Sequence, residues 1–270
     1  MKPILKVSVF AAAVGLIAIG ASMANSENGR MPPRGSGPRS PVLVELFTSE
    51  GCSDCPSADA LLTKLQKAQP VSGALIVPLS EHVDYWNNAN WKDRFSSHQF
   101  SDRQGAYVRA LHQESLYTPE MVVDGQSQFV GSDEKMAEAS IAKAALKRKA
   151  NVTLNAGFNG EGGISVSISV DNLPVASAGN ENQIYIALTE NALSSKVRGG
   201  ENEGRRLAHT AVVRVLQRLD SMSVARPYNR QIDLKLDPTW KRSDLEIIGF
   251  VQEAQSGRIM GVGMATQIRP

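Results

Sequence analysis

Mainly apolar segments alternate with helical patterns in the first half of the chain. Residues 42–47 and 74–79 are segments of the kind found in buried parallel strands. Between them, after Pro56, four apolar residues recur at helical spacing: Ala58, Leu61, Leu62 and Leu65. Proline suits the first turn of a helix, where its missing N–H costs nothing. The pattern predicts two parallel strands joined by a right-handed helical crossover.

The pattern becomes irregular from residue 80 to about residue 115. This stretch is expected to form an ordered loop with short helical turns. Ser101-Asp-Arg-Gln104 resembles a capping box that opens a helix ending at Leu111. Two strands are then predicted around an Asp124-Gly125 turn, a dipeptide typical of hairpins.

A further helix and a series of strands are predicted in the second half. Ser132 is expected to cap a helix that continues to about Lys149. After Ala150 apolar and polar residues alternate, which favours an antiparallel sandwich with a domain boundary near residue 150. The strand-like segments are residues 151–154, 164–170, 184–189, 212–219, 231–236, 245–251 and 259–264.

The first 24 residues have the pattern of a secretory signal peptide. Lys2 and Lys6 precede an apolar run, and small residues lead to an expected cleavage after Ala24. The rival interpretation is an uncleaved anchor, but the run is shorter than the roughly 20 residues of a spanning helix. Residues 25–40 contain many helix and strand breakers and predict a disordered linker. The mature protein is therefore expected in the periplasm or secreted, with no membrane span.

Signal cleavage changes the charge of the chain. The full sequence has 29 Lys and Arg against 27 Asp and Glu, and cleavage removes Lys2 and Lys6 but no acid. The mature chain then has 27 of each sign (29 − 2 = 27) and is formally neutral. Nothing in this balance indicates binding to nucleic acid.

The two cysteines of the chain stand three positions apart, at the predicted start of the first helix. Cys52 and Cys55 can close a disulfide on each other, and the helix dipole favours the thiolate of Cys52. Cys52 is then the nucleophile and Cys55 the resolving thiol. The nearby acids Glu50 and Asp54 oppose the thiolate. The alternative is a purely structural bridge, which is also stable outside the cytoplasm.

His82 and Asp84 directly follow the second parallel strand, where ligand crevices form in open α/β sheets. His82 is a candidate to approach Cys52, either to move protons or to join both cysteines in a copper or zinc site. The alternative is a histidine satisfied within its own loop. The other histidines, His98, His112 and His209, are interpreted as surface or structural residues.

Several motifs in order resemble an exported bacterial family catalogued as domain of unknown function 1223. They are VELFTSEGCSDCPSAD, HVDYW, DRQGAYVRAL, YTPEMVVDG, RGGENEG and HTAVVR. The resemblance implies an α/β thioredoxin-like domain (residues 41–150) followed by a β-rich, sandwich-like domain (residues 151–270). It also implies that Thr118 and a cis Pro119 face the dithiol and dock substrate. Gly51 stands where ordinary thioredoxins carry a tryptophan, and Arg198-Gly-Gly-Glu-Asn202 is expected to form a turn with an internal Arg–Glu contact.

Together these features predict an exported thiol-disulfide oxidoreductase that needs no organic cofactor. Its partner is expected to be a thiol or disulfide of a protein or small molecule. Two alternatives stay open at this point. One is copper or zinc handling through Cys52, Cys55 and His82. The other is a binding module that contains only a structural disulfide.

Overall fold

The computed structural model describes Met1 and residues 39–174, 181–222 and 227–269. The predicted signal peptide, apart from Met1, lies outside these residues, as does the predicted linker up to residue 38. Ser40, placed in that linker, already belongs to the first strand. One compact unit contains every described residue except Met1.

The described part of the chain contains strands throughout and α-helices only in its first half. The α-helices are α1 (Cys55–Ala68), α2 (His98–Ala110) and α3 (Glu134–Ala145). The strands are β1 (Ser40–Thr48), β2 (Ala74–His82), β3 (Glu120–Val123), β4 (Ser127–Val130), β5 (Asn151–Phe158), β6 (Gly163–Asp171), β7 (Asn182–Glu190), β8 (Leu193–Lys196), β9 (Arg206–His209), β10 (Val212–Met222), β11 (Tyr228–Lys235), β12 (Leu245–Glu253) and β13 (Ile259–Ala265). A short 3₁₀ helix, Arg242–Asp244, precedes β12.

Eight strands form one mixed sheet in the order β13-β12-β7-β10-β2-β1-β3-β4. β1 and β2 are parallel, as the pattern predicts, and β3 is antiparallel to β1. β10 joins β2 in parallel through the pair Val212 and Ser80. Strands from both sides of residue 150 therefore share one continuous sheet.

The centre of this sheet is buried on both faces. From β1, Val42, Val44 and Leu46 point into a core shared with α1 and α3. Leu43 belongs to a second core on the opposite face, which includes Phe100 of α2. A near-continuous apolar strand is what a position between two helical layers requires, because neither face meets water.

A smaller sheet of order β11-β6-β5 covers the antiparallel half of the large sheet. Its inward residues Ile164, Val166 and Leu234 pack on Ile186 and Leu188 of β7. Alternating burial along β6 produces this contact, because successive side chains point to opposite faces of a strand.

Two helix starts differ from those predicted. α2 begins at His98 rather than Ser101, since the side chain of Ser97 caps it by accepting a hydrogen bond from the Gln99 N–H. The Ser101 hydroxyl instead donates to Asp84. Asp133, not Ser132, caps α3 by accepting from the Met136 N–H.

A buried group of polar residues, here called the arginine cluster, holds α2 on the sheet. It consists of Arg103, Glu45, Glu81, Tyr107 and Gln252. Arg103 donates to Glu45 Oε1 at 2.6 Å, to the Gln252 side chain at 3.0 Å and to the Tyr107 hydroxyl at 3.1 Å. Tyr107 in turn donates to Glu45 Oε2 at 2.5 Å. Both oxygens of the buried Glu45 carboxylate are therefore satisfied, as burial of a charge requires.

Candidate redox site

Cys52 and Cys55 form a disulfide at the start of α1, with their Cα atoms 5.5 Å apart. α1 begins at Cys55, and Pro56 occupies its first turn. The turn between the cysteines is closed by the Cys55 N–H, which donates to the Cys52 carbonyl at 3.3 Å. Ser53 and Asp54 are exposed, whereas Cys52 is only 2% exposed and Cys55 is fully buried. Cys52 is thus the more exposed of the two cysteines, yet almost none of it meets solvent.

Thr118 and Trp86 lie on one side of the disulfide. The Thr118–Pro119 peptide is cis, and the Thr118 carbonyl oxygen is 3.8 Å from Cys52 Sγ. The Trp86 indole donates to the Thr118 hydroxyl at 2.7 Å. A Cβ on Gly51 would lie 3.2 Å from Trp86 Cβ, so a side chain there would push Trp86 away. Gly51 thus permits Trp86 to pack beside Cys52.

The loop between β8 and β9, residues 197–205, is bonded to the backbone on either side of Cys52 and to Cys52 itself. The Asn202 side-chain amide donates to the Glu50 carbonyl at 3.0 Å and to the Cys52 carbonyl at 2.7 Å. Glu201 Oε2 accepts from the Ser53 N–H at 3.0 Å. Among the described residues Arg198 and Glu201 form no ion pair, and Arg205, just beyond the motif, donates to Asn202 Oδ1 at 2.7 Å.

A second buried polar group, here called the histidine cluster, is bonded to the loop that carries Cys52 through Glu50. It consists of His82, Asp93, His209, Glu50 and Asp59. His82 Nδ1 is 2.7 Å from Asp93 Oδ2, which also accepts from the Glu50 N–H at 2.9 Å. The ring nitrogens of His209 lie 3.3 Å from Glu50 Oε1 and 3.6 Å from Asp59 Oδ2, at ion-pair distance. The two imidazole rings meet edge to face, with centroids 4.9 Å apart.

Burial and neighbouring charges shift the pKa values of two members of the histidine cluster, His209 and Asp93. Burial lowers the pKa of His209, but the carboxylates of Asp59 and Glu50 outweigh it and raise the pKa to about 9. Burial also raises the pKa of Asp93, yet His82 and two backbone N–H groups bring that pKa below its ordinary value. His209 therefore carries a positive charge at neutral pH, next to the Glu50 carboxylate.

The two auxiliary residues singled out from sequence have different surroundings. His82 is fully buried against Asp93, and its Nε2 has no hydrogen-bond partner among the described residues. Asp84 accepts from Ser101 at 2.5 Å and lies 3.2 Å from His98 Nδ1, near the start of α2. In the part of the chain that the structure describes, no three His, Cys, Asp or Glu side chains are grouped to hold a metal ion. The alternative of a copper or zinc site at Cys52, Cys55 and His82 thus has no preformed ligand set there.

Sequence reasoning missed the contributions of Asn202 and His209. His209 was interpreted as a surface or structural residue, and it is in fact buried at 3% exposure within the histidine cluster. Asn202 is fully buried and binds a residue 150 positions away in sequence. The one local signal was the Arg198-Gly-Gly-Glu-Asn202 motif itself. A Cβ on Gly199 would lie 2.4 Å from the Asn90 carbonyl oxygen, so glycine is required for this close approach.

A family model described as protein of unknown function (DUF1223) matches residues 43–252. The chain belongs to this family. The matched region contains the disulfide, Thr118, Pro119, Asn202 and His209, so the whole site lies inside it. No curated protein matches the sequence.

Two solved structures resemble the chain over most of its length. A crystal structure of an Agrobacterium tumefaciens protein shares 23% identity with a TM-score of 0.65, covering 87% of this chain and 100% of that one. HBP35 of Porphyromonas gingivalis shares 15% identity with a TM-score of 0.60, covering 87% of this chain and 78% of that one. At these identities the similarity is one of fold.

The helices of the described residues were also assessed for membrane spanning. None of them combines the length and the apolar character needed to cross a bilayer.

Proposed function

We propose that this protein is an exported thiol-disulfide oxidoreductase with a thioredoxin-like arrangement around Cys52 and Cys55. The observation that carries the proposal is the Cys52–Cys55 disulfide at the start of α1, with the Thr118 carbonyl 3.8 Å from Cys52 Sγ. A helix N-terminus stabilises a thiolate, and the paired cysteine provides an intramolecular leaving group.

The reaction is an exchange of disulfides between the protein and a substrate. A substrate thiolate attacks Cys52 Sγ, the Cys52–Cys55 bond breaks, and Cys55 leaves as a thiolate. A second substrate thiol, after losing its proton, then attacks the substrate sulfur of the mixed disulfide and releases Cys52. The substrate is oxidised to a disulfide and the protein is reduced to the dithiol. The same steps in reverse restore the protein disulfide at the expense of a partner disulfide.

Thr118 and Pro119 are the proposed docking turn for an extended substrate. The Thr118 hydroxyl accepts a hydrogen bond from Trp86. The Thr118 backbone, whose carbonyl lies beside Cys52 Sγ, is the group proposed to meet a substrate main chain. The substrate partner is a thiol or disulfide of a protein or small molecule. No step requires an organic cofactor.

Trapping of mixed disulfides tests this function. Cys55→Ser keeps the nucleophile but cannot resolve a mixed disulfide, so it should accumulate covalent adducts through Cys52. Cys52→Ser is the matched control and should accumulate none. The adducts are measured by non-reducing electrophoresis and mass spectrometry of protein recovered from cells.

Two outcomes would contradict the proposal. Equal trapping by both variants would reject the assigned roles of the two cysteines. No trapping by either variant, in protein that is folded by circular dichroism, would favour a purely structural disulfide. A structural disulfide would also agree with the burial of both cysteines.

Export is proposed from the signal pattern of the first 24 residues. Its test is the mass of the protein recovered from the periplasm or medium, which should correspond to a chain beginning at Asn25. Recovery of a full-length chain from the cytoplasm alone would reject export.

A further inference from the structure

The β8–β9 hairpin contacts the loop that carries Cys52, residues 49–54 between β1 and α1 and here called the redox loop, at two separate points. At its tip, Asn202 and Glu201 bond to the backbone of Glu50, Cys52 and Ser53. At its base, His209 ends β9 and lies against the Glu50 side chain. Glu50 is therefore held through its carbonyl by the tip and through its carboxylate by the base.

The hairpin continues two neighbouring strands of the large sheet. The pair Glu190–Val212 of β7 and β10 is followed by the pair Leu193–His209 of β8 and β9. Arg94 contacts its outer strand by donating to the Ser194 carbonyl at 3.1 Å. The tip lies beyond the last pair, Lys196–Arg206, so its bonds to the redox loop help to determine where it lies.

The tip contributes to the surroundings of Cys52. The Thr118 carbonyl lies 3.8 Å from Cys52 Sγ, and Asn202, at 0% exposure, donates to the Cys52 carbonyl. An attacking sulfur must approach Cys52 Sγ along the line of the Cys52–Cys55 bond. Because Cys52 is only 2% exposed, a protein-sized reagent needs a neighbouring segment to move before it can make this approach. The tip is such a neighbour, since it is bonded to three backbone groups of the redox loop.

We propose that the β8–β9 hairpin is a cover over the redox site, and that Asn202 and Glu201 are positioning residues that determine which thiols reach Cys52. The inference deepens the proposed function, on which it rests for its biological meaning, and it assigns a role to the Arg198-Gly-Gly-Glu-Asn202 motif. With the cover closed, the site favours small thiols. With the tip released, it also accepts thiols carried by proteins.

The test compares a small and a large reductant acting on the purified oxidised protein. Dithiothreitol and reduced thioredoxin each donate two electrons, convert the Cys52–Cys55 disulfide to the dithiol, and become disulfides themselves. Asn202→Asp replaces the donating amide with a carboxylate facing two carbonyl oxygens, so it should release the tip. We expect the rate with thioredoxin to rise about tenfold, the effect of losing roughly one good buried hydrogen bond, and the rate with dithiothreitol to rise much less.

A pair of surface variants keeps the test decisive if Asn202→Asp fails to fold. Glu201→Ala removes the acceptor for the Ser53 N–H, whereas Glu203→Ala removes an exposed carboxylate of the same loop that makes no side-chain hydrogen bond or ion pair within the described part of the chain. Only Glu201→Ala should raise the ratio of the thioredoxin rate to the dithiothreitol rate. Melting temperatures of the two variants should agree.

The results of these experiments distinguish a failure of the cover proposal from a failure of the proposed function. An unchanged ratio in Asn202→Asp and Glu201→Ala, or an equal rise with both reductants, would overturn the cover. These rates need no physiological partner, so the cover can hold even if the Cys55→Ser variant traps nothing. In that case only the proposed function fails.

Discussion

The arginine cluster and the histidine cluster are both buried, but they differ in how their charges are held. Arg103 makes three side-chain hydrogen bonds, and both oxygens of Glu45 are occupied. Burial raises the pKa of Glu81 well above its ordinary value, so its neutral form is favoured beside the Glu45–Arg103 pair. The guanidinium keeps its charge at every accessible pH.

In the arginine cluster the Glu81 oxygens lack hydrogen-bond partners among the described residues. More atoms of the histidine cluster lack such partners, and its charge can change with pH. Both oxygens of Glu50 and Nε2 of His82 lack hydrogen-bond partners among the described residues, although Glu50 is paired in charge with His209. The cation here is an imidazolium, which can lose its proton. The cluster also lies between the redox loop and the base of the hairpin, whereas the arginine cluster lies between α2 and the sheet. The arginine cluster therefore stabilises the fold, whereas the histidine cluster connects the stability of the fold to the proposed redox site.

The largest expected effect is on the arginine cluster. Arg103→Met leaves the Glu45 carboxylate buried without its cation and should lower the free energy of unfolding by about 3–5 kcal/mol. Arg109→Met changes an exposed arginine of the same helix and should cost less than about 0.5 kcal/mol. Urea unfolding of both variants measures the difference. Equal costs would show that the arginine cluster has no special role in stability.

The pH dependence of stability should reveal the histidine cluster. The pKa of His209 is about 9 in the folded protein, against an ordinary value of 6.5. Because the folded pKa is raised, the contribution of His209 is fully present below about pH 6.5 and is lost as the pH rises through 9. The difference of pKa values corresponds to about 3 kcal/mol.

The measurement is urea unfolding between pH 6 and pH 10. Wild type and the control His98→Gln, which changes an exposed histidine, should lose this stability alike over the range. His209→Gln should lack that pH-dependent loss. A His209→Gln curve parallel to wild type would show that another group titrates.

A smaller effect is expected at Asp93. Asp93 Oδ2 accepts from the Glu50 N–H and contacts His82 Nδ1, so Asp93→Asn weakens both interactions. The free energy of unfolding should fall by about 1–3 kcal/mol. The disulfide should also react faster with dithiothreitol, because Glu50 anchors the redox loop. A stability loss without any change in that rate would confine Asp93 to a structural role.

The smallest effect is expected at a surface ion pair. Lys64 and Glu134 connect α1 and α3 through an exposed contact, which water and salt screen. Lys64→Gln should leave the melting temperature within experimental error of wild type. A clear loss would show that exposure is a poor guide to the importance of an ion pair in this protein.

Local patterns predicted many elements of the described fold but not all of them. The helix after Pro56 and the hairpin around Asp124-Gly125 follow from spacing and turn chemistry. Each predicted strand segment after residue 150 overlaps an observed strand. β8 and β9 were missed because, unlike the equally short β3 and β4, they are joined by the long loop 197–205 and not by a hairpin dipeptide such as Asp124-Gly125. The start of α2 was misplaced because two serines competed for the cap, and Asp84 engages one of them.

The candidate site, too, was predicted from sequence only in part. The pairing of Cys52 with Cys55 needed only their spacing and the absence of other cysteines. The neighbourhood of Thr118 was expected through the family resemblance. Asn202 and His209 were not expected, because nothing near them in sequence indicates the redox loop about 150 residues earlier.

The sequence by itself determined most of the strand and helix segments and where a redox-capable pair of cysteines stands. These properties depend on periodicity and on neighbours a few residues apart, so they can be recognised locally. Tertiary structure alone decided that β10 joins β2, that His209 lies behind Glu50, and that Asn202 reaches Cys52. The physical reason is that these contacts depend on the order of strands and the packing of faces. Many chain segments compete for such positions, and only the complete fold selects among them.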